Sequence, residues 1–178
     1  LTLDLANGES RTFSGSISGS GSFNIRGENS TSVAGRLIFS GVSSSTGGTY
    51  IASKSDGIKN NAKAELQLTG GNNRLPAGSV LTFGSSGASG LYGKLILGGS
   101  SGASNQTVAG ITSASGTGTF SIVGGNPTVS TLTVNNNTNY HFYGNIGGDL
   151  LNENYIALVK SGNDTLSLTG IFTYNGPT

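Results

Sequence analysis

The sequence predicts an all-β chain wound into a β-solenoid with short strands and Gly/Asn/Ser-rich corners, and three observations carry that expectation. Stretches in which apolar and polar residues alternate recur along the whole chain, as in Leu1-Thr2-Leu3-Asp4-Leu5, Glu65-Leu66-Gln67-Leu68 and Thr165-Leu166-Ser167-Leu168-Thr169. A period of two marks a strand with one buried face. Each stretch is about three to five residues long, too short for a wide antiparallel sandwich and suited to one face of a β-helix. Between them stand turns, for which 31 Gly against 3 Pro in 178 residues supply tight corners.

The elements follow in order. Leu1 to Leu5 alternates and turns at Asn7-Gly8; Arg11 to Ser14 and Ser16 to Ser18 are short strands cut by Gly15. Ser22 to Ile25 and Arg36 to Ser40 come next, with the polar stretch from Gly27 to Ala34 as a loop between them. After Thr49 to Ala52 the chain is most charged, and Gly57 with Asn60-Asn61 opposes a helix there, so residues 53–64 read as a protruding, loop-rich connector. Glu65 to Leu68 restarts the alternation, Gly71 to Gly78 is a corner, and Val80 to Phe83, Lys94 to Leu97, Asn105 to Ile111 and Thr119 to Ile122 continue it. Thr131 to Val134 and Tyr140 to Ile146 match the opening at a shift of about 131 residues, so residues 1–49 read as a module repeated at 132–178 within a single solenoid segment, 1–178.

Composition narrows the function classes. A hydrophobic fraction of 34% is low for a compact globule, yet the charged fraction of 10% and the recurrent apolar runs separate the chain from a disordered one. The net charge of +1 gives no footprint for nucleic acid or an anionic membrane. The absence of Cys excludes a disulfide framework and suits a chain exported unfolded. No apolar run approaches 18 residues, so no membrane insertion of this segment is expected. Without Met or a leader at Leu1, the chain reads as processed or as a piece of a longer one.

The stretches Ala157-Leu158-Val159-Lys160-Ser161-Gly162, Thr165 to Gly170 and Phe172 to Thr178 together resemble the autotransporter-associated β-strand repeat of bacterial surface and secreted proteins, with Pro177 where Gly is usual. Gly71 to Pro76 and Asn105 to Ile111 are similar to the connecting segments of such arrays. The resemblance implies a right-handed parallel β-helix, an extracellular or cell-surface location and a structural role in a stalk, adhesin or fibre. About 20–25 residues per coil would give a rod of roughly 35–40 Å.

Candidate chemistry is sparse, and no catalytic, metal or cofactor residue is assigned. His141, the only histidine, reads as a surface residue because Phe142 beside it takes the buried position. The eight acids are dispersed; Asp149 and Glu153 are the closest pair and read as solvated loop charges rather than as the converging carboxylates of a polysaccharide-cleaving β-helix. Lys54, Lys59 and Lys63 form a small basic patch that reads as a solvated loop. Tyr50, Tyr92, Tyr140, Tyr143, Tyr155 and Tyr174 could stack on sugars or simply fill strand positions. The expected function is non-catalytic and structural, the alternative a carbohydrate-binding or polysaccharide-cleaving β-helix. Expected partners are further copies or further coils end to end, and cell-surface glycans.

Two expectations concern packing. Leu3, Phe13, Ile17, Leu37, Leu66, Leu81, Leu95, Phe120, Leu132, Phe142, Ile146 and Leu166 should share one interior, since they are the apolar members of alternating strands. The first and last coils carry no evident cap, so the coils should continue into another copy, within a longer chain or by stacking.

Overall fold

The computed structural model describes residues 1–28, 33–53, 61–114 and 118–178. Among them there is no helix, and sixteen strands wind as a β-solenoid of about six turns. The first turns hold two strands each: β1 (Thr2–Leu5) and β2 (Ser10–Phe13), β3 (Phe23–Gly27) and β4 (Gly35–Phe39), β5 (Thr49–Ser53) and β6 (Lys63–Leu68). Later turns hold three: β7 (Val80–Phe83), β8 (Leu91–Leu97) and β9 (Gln106–Val108), then β10 (Gly110–Ser113), β11 (Gly118–Gly124) and β12 (Ser130–Asn135), then β13 (Tyr140–Tyr143), β14 (Asn145–Ile146) and β15 (Ile156–Ser161). β16 (Leu166–Thr169) opens the last coil.

Strands pair in parallel with their counterparts one coil on, which generates three faces. The first runs β1-β3-β5-β7-β10 and resumes as β13-β16. The step from β10 to β13 is made by side chains: Thr112 Oγ1 donates to the His141 carbonyl at 3.2 Å and the Tyr143 N–H to Ser113 Oγ at 2.7 Å. The second face runs β2-β4-β6-β8-β11-β14 and ends in a bridge from Ile146 to Phe172. The third begins as a bridge from Ile17 to Ser43, becomes the sheet β9-β12-β15, and ends where the Leu158 N–H meets the Pro177 carbonyl at 3.2 Å.

Coils are longer than expected. Asn24 bonds Thr2 across 22 residues, but Thr131 meets Asn105 across 26, Arg36 meets Glu65 across 29 and Arg74 meets Gln106 across 32. Three faces with loops at their corners need more chain than an estimate of strands and tight turns allows. At about 4.8 Å per coil, six turns make a rod of roughly 29 Å, shorter than the sequence estimate.

The interior explains the alternation. β3 and β4 each place every second residue in the core, so Phe23, Ile25, Leu37 and Phe39 are buried while Asn24, Arg26, Arg36 and Ile38 face outward. Phenylalanines from successive coils meet inside, Phe13 and Phe39 at 5.9 Å between ring centres, Phe83 and Phe120 at 6.0 Å. Nine of the twelve residues predicted to point inward are buried. The other three, Leu3, Phe13 and Leu166, pack on the same core but are only partly covered, and all three lie in the first or last coil.

Corners are joined by side-chain amides where the backbone ladder lapses. Asn105 Oδ1 accepts from the Thr131 N–H at 2.7 Å and Gln106 Oε1 from the N–H groups of Arg74 and Leu75 at 2.8 and 3.2 Å. Buried Asn136 donates through Nδ2 to the carbonyls of Thr138, Asp164 and Thr165. These bonds satisfy backbone groups that would otherwise be orphaned.

Two sequence boundaries need correction. Leu132 lies in β12 on the third face, whereas Leu1 precedes β1 on the first, so copies at 1–49 and 132–178 are one face out of phase. All three faces share the same alternation, which is why the stretches look alike. The connector predicted at 53–64 is narrower: Ser53 ends β5, Ala62 is buried and Lys63 begins β6. Lys54, Asp56 and Lys59 lie outside the described residues.

Candidate functional site

Two places on the outer surface gather polar or aromatic side chains from several coils. On the second face, register sets Arg36 opposite Glu65 and Glu65 opposite Lys94. Arg36 grips Glu65 Oε2 through Nε and Nη2, both at 2.7 Å, and Tyr92 Oη donates to Glu65 Oε1 at 3.3 Å. Lys94 Nζ lies 5.9 Å from the centre of the Tyr92 ring and 2.7 Å from Glu153 Oε1. Burial works against the charge on Lys94, but the bonds to Glu153 and Tyr92 outweigh it and hold the ammonium above its usual value; burial pushes the Tyr92 phenol up. Both groups stay protonated at neutral pH, so neither is poised as a base.

Glu153 is therefore misplaced by the sequence reading. It is not a solvated loop charge: it is buried, its Oε2 accepts from the Leu150 N–H at 3.2 Å, and its partner Lys94 comes from a strand 59 residues earlier. Asp149 is exposed, as expected of a loop acid. Lys63 opens β6 opposite Tyr92. Among the described residues no three His, Cys, Asp or Glu side chains come together as metal ligands.

The second place is on the first face, at β13 and β16. Phe142 points inward and is fully buried, which turns His141 and Tyr143 outward on the same strand. Their rings stack with centres 3.8 Å apart and planes 23° from parallel, and His141 Nε2 is 2.8 Å from Thr169 Oγ1. Tyr143 is 41% exposed. It forms one side of a depression of about 380 Å³ whose other side chains are Thr119, Phe120, Asn145 and Thr169.

Along its floor Gly144 and Gly170 stand one coil apart, with Phe120 in register one coil before Gly144 and Gly118 two residues before Phe120. A Cβ on Gly144 would lie 2.5 Å from Phe142 Cζ and 2.8 Å from the Phe120 carbonyl oxygen. On Gly170 it would strike the Gly144 carbonyl, and on Gly118 the Phe120 ring. Close approach, not an unusual φ, demands glycine at all three.

The remaining tyrosines go elsewhere. Tyr50 is half-buried in register with Thr82 and Thr112, beside a shallow groove. Tyr140 occupies the space where a side chain on Gly110 would stand. Tyr155 sits in the turn of exposed Leu150 and Leu151, and Tyr174 Oη is 2.6 Å from Thr178 Oγ1. Nothing local in the sequence marked the depression or announced the Lys94–Glu153 pair.

Compared with protein-family models, with curated proteins and with solved structures, the chain matches none.

Proposed function

We propose that the chain is a structural, non-catalytic solenoid segment of an extracellular stalk, adhesin or fibre, of the kind its repeat-like stretches resemble in bacterial surface proteins. The observation that supports this most directly is the apolar interior, which runs from coil to coil and opens at both ends. Leu3 and Phe13 are partly uncovered in the first coil; Leu166 and Leu168 are so in the last, with Ile171 66% exposed beside them. Among the described residues β1 pairs only with β3 and β16 only with β13, so each presents an unpaired parallel edge. Such edges recruit strands. A further coil or a second copy stacked on such an edge would make a head-to-tail contact that does not close on itself.

Sedimentation and negative-stain microscopy of the purified 178-residue chain test the second form. The expected result is association that rises with concentration and yields rods of increasing length. Strict monomers at high concentration would leave only covalent continuation. Turnover in a reducing-sugar assay on polysaccharides, lost on Asp149→Asn or Glu153→Gln, would overturn the non-catalytic reading.

A further inference from the structure

We propose that the depression beside Tyr143 is a binding site for a neutral oligosaccharide. The proposal gives a ligand class to the display role above and does not depend on the contacts between ends.

A pyranose ring offers an apolar C–H face and a rim of hydroxyls, so its site needs a flat, exposed aromatic ring next to short polar groups. Tyr143 supplies the ring. Its plane is fixed by the stack on His141, which Thr169 Oγ1 fixes in turn, so no side-chain order has to be created when a sugar docks. Thr119 and Thr169, the latter in register with Tyr143 one coil on, bring hydroxyls to the lining. Asn145 is pinned through Oδ1, which accepts the Ile171 N–H at 2.9 Å, leaving its NH₂ as the end that can donate to a sugar oxygen.

The floor suits the same ligand. Gly144 and Gly170 let a sugar ring approach the backbone, and the three coils that line the depression, about 4.8 Å apart, span about 10 Å, the length of roughly two pyranose units. The volume falls within the range of small-ligand sites. Among the described residues lining the depression none carries a formal charge, so they have nothing to neutralise a uronic acid or a sulfated sugar. On the second face Arg36 and Lys94 are bound to Glu65 and Glu153.

The test is calorimetric titration of the intact chain with cellohexaose, maltohexaose, mannohexaose and, as the anionic counterpart, hexagalacturonate. At least one neutral hexasaccharide is expected to bind saturably. Tyr143→Ala should weaken it roughly tenfold, the size of a lost aromatic contact with its supporting stack. The melting temperature should stay near the parent's, because the ring is largely outside the core. Thr169→Val, which frees His141, should weaken binding less. No binding of any neutral sugar at millimolar concentration, binding that survives Tyr143→Ala undiminished, or binding of hexagalacturonate alone would each overturn the site. A chain that assembles end to end but takes none of these sugars would sink this proposal and leave the structural reading standing.

Discussion

β4 and β16 read alike as sequence and differ in the folded chain. Arg36-Leu37-Ile38-Phe39 and Leu166-Ser167-Leu168-Thr169 both place an apolar residue at every second position, yet Leu37 and Phe39 are buried while Leu166 and Leu168 are only partly covered. β4 lies between β2 and β6; β16 has β13 on one side and, among the described residues, no strand on the other. Alternation decides which side chains share an interior. How deeply they are buried is decided by the coils above and below, and no strand carries that information in itself.

The largest effect that follows is for a charge placed at either kind of site. Leu66→Asp, in a strand flanked on both sides, should cost several kcal/mol, because an unpaired carboxylate enters a dry core. Thermal unfolding should show that variant without a cooperative transition. Leu166→Asp, at the open end, should cost only about 1 kcal/mol, since its carboxylate reaches water. Its main effect should appear in sedimentation, as lost self-association. Equal destabilisation by the two substitutions would erase the distinction between inner and end coils.

Truncation sharpens the same contrast at smaller scale. Leu37→Ala should cost about 2–5 kcal/mol and Leu168→Ala about 1 or less, measured by denaturant unfolding. The smallest contrast is between ion pairs. Lys94 and Glu153 are 12% and 11% exposed, and Lys94→Ala should cost about 1–3 kcal/mol by leaving a buried carboxylate without its partner. Arg11, exposed beside Glu9 in the first coil, should be replaceable by Ala within about 0.5 kcal/mol. Because the folded value of Lys94 is raised, its contribution is complete below the ordinary lysine value of 10.5 and is lost as the pH climbs through the higher folded value. A melting curve followed upward from neutral pH should therefore register this pair only in strongly alkaline solution.

These contrasts also show what was legible in the sequence. The fold class was, because a period of two interrupted by glycine leaves few architectures, and Leu37, Leu66, Leu81, Leu95 and Phe142 are buried as their alternation requires. The coil count was not: coil lengths of 22 to 32 residues between matching positions depend on where each corner closes, and several corners close through Asn and Gln side chains whose partners lie a whole coil away. Glu153 was misread for the same reason. Its local setting, between Asn152 and Asn154, is that of a surface turn, and only the winding of the chain brings Lys94 to it. The role of Tyr143 among six tyrosines likewise depends on Phe120 one coil before it and Gly170 one coil after it.

The parallel register has a mechanical consequence. Bonds between coils lie along the axis of the rod, and the two termini sit at opposite ends of it. A pull on those termini loads the outermost coil first and peels it from its neighbour, so bonds part a few at a time instead of resisting together in shear. Each coil of 26 residues that comes away pays out roughly 90 Å of chain, about three times the height of the whole folded rod. A tether built from such coils is stiff under compression and short at rest, yet yields in discrete lengths under tension, and it can rewind when the load falls because each inner coil remains as the template for the next.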